Sequence, residues 1–296
     1  MPVPHTTPES VLIRKAVVPA AGFGSRLRPL TQAFPKELLP IGRKPVLSYV
    51  VEELRQSGVR EILFVVSDAK PQIRGFFGDS VEETAEGLPP VKFSYTFQEQ
   101  QRGSGDAVLC AEDWVGGEPF VVAFGDCIVD SPEASPTPLS RMISTFNSNK
   151  AGGVILVERV PKEKVFRYGV VDPKAPLEEN PITPFELRGV VEKPAIEDAP
   201  SDMVIAARFV LHPAIFRALH NTTPDRRGEY NLPDAMCALQ EEARSLFAVP
   251  LLAGEARRDI GNFETYFTNF VRFALRDAEY GESLRQFLVH EMAKAD

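Results

Sequence analysis

Two glycines, two cations and a few scattered carboxylates are the residues of this chain best suited to chemistry on phosphate. Between Lys15 and Pro45 the sequence reads KAVVPAAGFGSRLRPLTQAFPKELLPIGRKP. Ala20, Ala21, Gly22 and Gly24 are small enough for backbone to approach a ligand closely, so that their N–H groups can face phosphate oxygens. Arg26 and Lys36 follow. A guanidinium fork suits phosphate, and an ammonium adds a point charge. The loop therefore reads as a polyphosphate grip, with a plain glycine turn carrying surface cations as the simpler alternative. A dinucleotide fingerprint is disfavoured because its third glycine falls on Leu27, and the Gly-Lys-Ser/Thr ending of a P-loop is missing.

The acids come later in the chain. Phe120-Val121-Val122-Ala123-Phe124-Gly125-Asp126 is an apolar run ending in glycine and a carboxylate. Ligands of open α/β sheets sit beyond the carboxyl ends of strands, which would point Asp126 into the crevice, although an Asp after a strand is also a common turn former. Asp259, in Arg258-Asp259-Ile260-Gly261-Asn262, carries little weight by spacing alone. Gln98 and the stretch Gly103-Ser104-Gly105-Asp106-Ala107 follow another apolar run and open a helix. A glutamine side chain offers a donor and an acceptor together, as the edge of uracil or thymine requires; a polar loop with an N-cap is the plainer reading. Glu192-Lys193-Pro194 ends a further strand-like run, where a solvated charged pair is the alternative. The four histidines, His5, His212, His220 and His290, join no Ser-His-Asp or Cys-His arrangement.

The elements that must position these groups are legible as apolar runs. Ala16 to Val18 and Glu61 to Val66 read as buried parallel strands, and Val46 to Ser57 between them has helical spacing stopped by Gly58. Strand, helix, strand implies a right-handed parallel unit. The pattern returns at Val91 to Phe97 and Phe120 to Phe124, with helical text from Ala107 to Trp114, and the alternation predicts an open, twisted α/β sheet. From Gly152 to Leu211 short strand-like runs alternate with prolines and charge, which predicts a β-rich insertion forming the second wall of a cleft. From Asn262 onward Phe263, Phe267, Phe270, Val271 and Ala274 recur at helical spacing, as a packing stripe of a helical cover or a subunit contact. The expected divisions are a disordered tail at 1–13, a catalytic domain at 14–262 and a helical segment at 263–296.

Composition sets the outer bounds. The chain has 296 residues, 44% hydrophobic and 25% charged, and a net charge of -8, which fits a soluble globular protein and argues against a general nucleic-acid binder. An anionic nucleotide must then be caught by local cations and metal. Three cysteines, Cys110, Cys127 and Cys237, are too few for a disulfide framework, and the cytoplasm is the expected location. No apolar stretch approaches the roughly 20 residues of a membrane span, and MPVPHTTPES has neither the basic start nor the apolar stretch of a signal peptide.

Taken whole, the string Gly22-x-Gly24-Ser25-Arg26-Leu27-x-Pro29-x-Thr31-x-x-x-Pro35-Lys36-Glu37-Leu38-Leu39-Pro40 resembles the signature of the sugar-nucleotide pyrophosphorylases, which join a nucleoside triphosphate to a sugar 1-phosphate. Ser25 stands where the family more often has Thr. Pro35-Lys36-Glu37 looks more like the bacterial UTP-glucose-1-phosphate uridylyltransferases than their thymidylyl relatives, which tend to carry Ser-Lys-Gln. The resemblance, running from about Lys15 to about Tyr266, implies a Rossmann-like open mixed sheet flanked by helices. It implies Mg2+-dependent formation of UDP-glucose and pyrophosphate from UTP and glucose 1-phosphate. It implies triphosphate binding by Arg26 and Lys36, with Ala21, Gly22, Gly24, Ser25, Glu37, Gln98 and Gly103 on the nucleotide. Asp126 and Asp259 become the Mg2+ ligands. Lys193 becomes the residue that orients the attacking phosphate, and Glu192, Tyr168 and Gly169 become the sugar side. Gly228-Glu229-Tyr230-Asn231-Leu232-x-Asp234 resembles a family element read as mainly structural. The uridylyltransferases usually continue Asp-x-Gly with a lysine, whereas here Asn262-Phe263-Glu264 follows. A thymidylyltransferase of the same fold and a noncatalytic nucleotide-sugar sensor are the alternatives. A homo-oligomer, with no nucleic-acid or membrane partner, is expected. No general base is needed, because the second ionisation of a phosphate monoester lies near pH 6 and the nucleophile is already largely dianionic.

Overall fold

The computed structural model of the chain describes residues 11–83, 87–131, 136–241 and 244–295. Residues 1–10 of the anticipated tail lie outside them; Val11 and Leu12 are exposed and Ile13 is buried.

Lys15–Pro19 lies at the centre of the molecule, parallel to Glu61–Val66 on one side and to Phe120–Ala123 on the other. Its alternate residues serve opposite faces, as the two-residue period of a strand requires. Ala16 and Val18 pack with Val50 and Leu54 of the helix Val46–Gln56. Val17 packs with Ala107 and Val108 of the helix Ser104–Leu109. Val91–Phe97 continues the parallel half beyond Glu61–Val66. Both faces of Lys15–Pro19 and Glu61–Val66 are covered, which is why these two read as near-continuous apolar runs, whereas the outer strand Val91–Phe97 alternates, with Lys92 exposed.

The stretch from Gly152 to Leu211 extends the same sheet. Met203–Leu211 runs antiparallel to Phe120–Ala123 and to Gly153–Arg159. Leu246–Pro250 is parallel to Gly153–Arg159, and Phe185–Glu192 and Gly169–Pro173 complete the edge in antiparallel fashion. Among the described residues the main sheet thus has ten strands. The two walls of the cleft share one backbone hydrogen-bond network, which leaves no open edge between them.

A separate two-stranded ribbon pairs Cys127–Asp130 with Ala256–Asp259 and sets Asp259 opposite Cys127. The chain then enters the helix Phe263–Leu275, whose N-cap Asn262 accepts from Thr265 N at 2.9 Å. Tyr266 of this helix joins a cluster with Leu27, Ile41 and Ile260, and so packs against the Gly22–Pro40 segment. Phe267, Phe270 and Val271 of the predicted stripe point outward and are exposed. Among the described residues no helix is long and apolar enough to cross a membrane.

Candidate active site

The glycine loop leaves the central strand with Ala20 N bonded to Val65 O at 2.8 Å. Gly24 has φ +64°, and a Cβ there would lie 2.9 Å from Thr31 Cγ2, so both backbone conformation and space require glycine. Thr31 Oγ1 donates to Gly24 O at 2.9 Å and closes the loop. The following turn, Ser25–Leu27, buries Leu27 completely and leaves Ser25 and Arg26 at the surface. Arg26 reaches the far side of the cleft: a Cβ on Gly261 would lie 3.0 Å from Arg26 Nη2 and 2.9 Å from Asp259 Oδ1. Glycine at 261 therefore preserves the approach of Arg26 to Asp259.

Lys36 stands under the same loop, its Nζ 2.5 Å from Asp126 Oδ2 and 3.6 Å from where a Cβ on Gly22 would sit. Burial works against its charge, but Asp126 and then Glu37 outweigh burial and hold the ammonium above its ordinary value. Glu37 itself requires a correction to the expected nucleotide contacts. Its side chain is 1% exposed and paired with Lys70 Nζ at 2.8 and 3.0 Å. Lys70 also donates to Ala20 O at 2.6 Å. Glu37 is therefore a buried strut behind the loop, linked to it through Lys70.

The two acids converge as the sheet geometry requires. Asp126 follows the Phe120–Ala123 strand, with Gly125 N on Pro19 O at 3.2 Å, and Ile260 N reaches Asp126 O at 3.4 Å. Burial opposes the Asp126 charge, yet Lys36 outweighs it and keeps the carboxyl below its ordinary value. Asp259 behaves oppositely: burial, and then the charge of Asp126, push its carboxyl up. Two carboxylates that repel one another across the cleft offer oxygen donors of the kind a hard divalent cation takes, with Lys36 bonded to one of them. Among the described residues no group of three or more His, Cys, Asp or Glu side chains is gathered to hold a metal, so the remaining ligands of such a cation would be phosphate oxygens and water.

Gln98 is 4% exposed. Its Nε2 donates to Asp106 Oδ2 at 2.7 Å and to Gly103 O at 3.2 Å, leaving Oε1 as the atom that can accept from a base. The Gly-Ser-Gly turn has a structural explanation that spacing did not reveal. A Cβ on Gly103 would lie 2.5 Å from Tyr230 O, and one on Gly105 would lie 2.9 Å from it. Gly105 N and Tyr230 O are bonded at 2.7 Å, and Leu232 N donates to Ser104 Oγ at 3.0 Å. The Tyr230 segment thus fastens the loop that carries Gly103.

Across the sheet a cavity of about 300 Å³ is lined by Tyr168, Gly169, Glu192, Lys193, Arg257 and Phe209, among others. Gly169 and Glu192 are register partners, and a Cβ on Gly169 would crowd Ile205 Cδ1 at 2.7 Å and Glu192 Oε2 at 3.1 Å. Lys193 adopts φ +46° and donates its backbone N–H to Tyr168 O at 3.0 Å. Its Nζ lies 2.5 Å from Glu192 Oε1.

Two arginines of this region were not singled out from sequence. Ala207 sits at a bulge in Met203–Leu211 with φ +61°. The next residue, Arg208, is fully buried; its Nη2 donates to Glu53 Oε2 at 2.7 Å and to Cys127 O at 2.9 Å. It therefore ties the helix Val46–Gln56 to the residue after Asp126. Arg257 lies two residues before Asp259, an i, i−2 relation that would have placed both on one face of the ribbon had the strand been recognised. Cys127 is a buried filler, its thiol pushed up to about 12 by burial.

The nucleotidyl transferase family model matches residues 15–274. The chain belongs to the nucleotidyl transferase family. Among relatives of this nucleotidyl transferase, a Methanocaldococcus jannaschii protein provisionally named UTP–glucose-1-phosphate uridylyltransferase is 36% identical over 94% of this chain and 99% of its own length. The UTP–glucose-1-phosphate uridylyltransferase of Streptococcus pyogenes is 34% identical, covering 94% of each chain. Among solved structures, a UTP-bound UDP-glucose pyrophosphorylase from Acinetobacter baumannii aligns with TM-score 0.81 and 30% identity over 94% of this chain and 99% of that one. The mixed sheet flanked by helices is thus the fold of this family.

Proposed function

We propose that this nucleotidyl transferase makes UDP-glucose and pyrophosphate from UTP and glucose 1-phosphate with Mg2+. The observation that carries the reading is the meeting of Lys36, Asp126, Asp259 and Arg26 at the carboxyl ends of the central strands, between the glycine loop and the Glu192–Lys193 cavity. A nucleotide lying on the loop, with its base toward Gln98 Oε1, would present its α-phosphate to these groups. A sugar phosphate in the cavity would face it from the opposite side.

One phosphate oxygen of glucose 1-phosphate attacks the α-phosphorus, a P–O bond forms, and the bond to the β-phosphate oxygen breaks to release pyrophosphate. Arg26 and Lys36 hold the triphosphate and meet the charge that develops on the transferring and leaving oxygens. Lys193 orients the attacking phosphate, and Glu192, beside Gly169, accepts hydrogen bonds from sugar hydroxyls. Asp126 and Asp259 would hold the Mg2+, which supplies charge neutralisation across the phosphates. The dianionic nucleophile and the aligned substrates account for catalysis without a base.

The chain is proposed to act in the cytoplasm as a homo-oligomer, which would cover Phe267, Phe270 and Val271 on one terminal helix and Phe287 on the other. The reading is tested by measuring kcat/KM for UTP, 5-methyl-UTP, dUTP, dTTP, ATP and GTP against glucose, galactose and mannose 1-phosphates. UTP with glucose 1-phosphate should be the best pair. The base edge cannot tell uracil from thymine and a methyl is worth only about 1 to 3 kcal/mol, whereas losing the ribose 2'-hydroxyl leaves the polar groups that bind it unpaired, so dUTP should be poorer than 5-methyl-UTP. A best rate with dTTP replaces the uridylyl assignment with the thymidylyl one.

A further inference from the structure

We infer that Arg257 binds the phosphate of the sugar 1-phosphate, as a second cation beside Lys193; the inference rests on the sugar-phosphate cavity proposed above. Arg257 lies on the ribbon strand Ala256–Asp259, opposite Val129, while Asp259 lies opposite Cys127. Residues two apart on a strand share a face, so Arg257 and Asp259 look into the same cleft. Arg258, on the other face, turns away to Asp130 at 3.1 Å. Arg257 borders the cavity that holds Lys193 and Glu192, and a phosphate passing from that cavity to Asp259 must cross it.

The guanidinium is also held ready for such a ligand. Its carbon lies 4.4 Å from the centroid of the Tyr168 ring, and Nε donates to Glu158 Oε1 at 2.6 Å. Tyr168 on one side and Glu158 on another hold the guanidinium in place. Glu158 and the Tyr168 side chain take part of the fork, and the remaining N–H groups, held in a fixed plane, suit phosphate oxygens. Lys193, by contrast, is 43% exposed at its side chain and bonded to its neighbour Glu192. An exposed ammonium already paired with a carboxylate is a weak sole anchor for a dianion. Arg257, at 12% side-chain exposure, supplies the rigid partner.

The test compares Arg257→Ala and Arg257→Lys with the wild type by steady-state kinetics and by binding of sugar 1-phosphates and inorganic phosphate. Loss of charge-assisted bonds to a phosphate should raise KM for glucose 1-phosphate about 10- to 100-fold in Arg257→Ala, with KM for UTP within about 2-fold. Added guanidinium ion should restore part of the lost rate, and Arg257→Lys should recover only part, having a point charge but no fork. An unchanged KM for glucose 1-phosphate, or equal rises for both substrates without rescue, overturns the inference. UTP binding serves as the folding control for each variant. If the wild type prefers another sugar 1-phosphate, the glucose assignment fails while the Arg257 dependence is read on that sugar. If the preferred sugar phosphate is indifferent to Arg257, the inference fails alone.

Discussion

The strut behind the glycine loop makes a quantitative prediction. Glu37 and Lys70 are 1% and 8% exposed at their side chains and lie 2.8 Å apart. Burial pushes Glu37 up and Lys70 down from their ordinary values, so burial works against both charges and each depends on the other. Lys70→Met leaves the Glu37 carboxylate without its counter-charge, a change that costs about 3 to 5 kcal/mol. At about 2.1 cal/mol/K of unfolding entropy per residue, a 296-residue chain loses about 1.6 °C per kcal/mol, and Tm should fall by about 5 to 8 °C. Adding Glu37→Leu removes the stranded charge and should return most of that loss, since apolar replacements of a buried pair are often neutral. The double variant nevertheless lacks the donor that holds Ala20 O at 2.6 Å. Its UTP affinity should therefore stay low after its stability has recovered. Thermal unfolding and UTP titration of the two single variants and the double variant provide the assay. A double variant no more stable than Lys70→Met, or one that binds UTP like the wild type, would refute the role of this strut.

Three further outcomes follow from the site. The two acids should shift stability in opposite senses in metal-free protein. Asp126 is held down, so its contribution is present at neutral pH and lost as pH falls through its folded value; Asp259 is pushed up, so its charged form opposes folding at neutral pH and the conflict disappears on acidification. Asp126→Asn should lower Tm at pH 7 and Asp259→Asn should raise it, the second effect fading as the carboxyl protonates and the first persisting to lower pH, while each variant loses turnover by orders of magnitude; thermal unfolding across pH with a product assay checks this. Lys36→Ala should act mainly on UTP, and Lys193→Ala mainly on glucose 1-phosphate, in separate KM measurements; equal effects on both substrates would contradict the division between loop and cavity. Gly103→Ala puts a Cβ 2.5 Å from Tyr230 O at φ +102° and ψ 179°, a region essentially reserved for glycine whose strain is about 1 to 3 kcal/mol, so Tm should fall and the displaced loop should bind UTP more weakly; thermal unfolding and calorimetry check this, and wild-type values for both would contradict it.

The parallel half of the fold was legible because strands buried on both faces must be apolar throughout, as Val17-Val18 and Phe120–Ala123 are. The glycine loop and Asp126 stood out through the resemblance of the whole Gly22–Pro40 string and of Gly125-Asp126, since a glycine turn or an Asp after a strand has a plainer use when read alone. Roles set by long-range packing were not. Glu37 lies in the signature string, yet its burial depends on Lys70, 33 residues on. The glycines at 103 and 105 answer to Tyr230, more than a hundred residues away, and no local pattern encodes that approach. Arg208 looks like a surface strand residue until the left-handed turn at Ala207 sends it inward to Glu53. The terminal stripe was read correctly as a helix, but periodicity cannot say which face meets the core, and Phe267 and Phe270 point away from it.

The central claim is that an oxygen of the sugar phosphate forms the new bond to the α-phosphorus of UTP while the α–β bridge breaks, and positional isotope labelling tests it most directly. Glucose 1-phosphate carrying 18O at its terminal phosphate oxygens is incubated with UTP, Mg2+ and enzyme, and the products are examined by phosphorus NMR. The predicted result is UDP-glucose with one label in the bridge between its phosphorus atoms, the other labels on the β-phosphorus, and unlabelled pyrophosphate. Label in the pyrophosphate, or release of UMP or UDP in place of pyrophosphate, would contradict it.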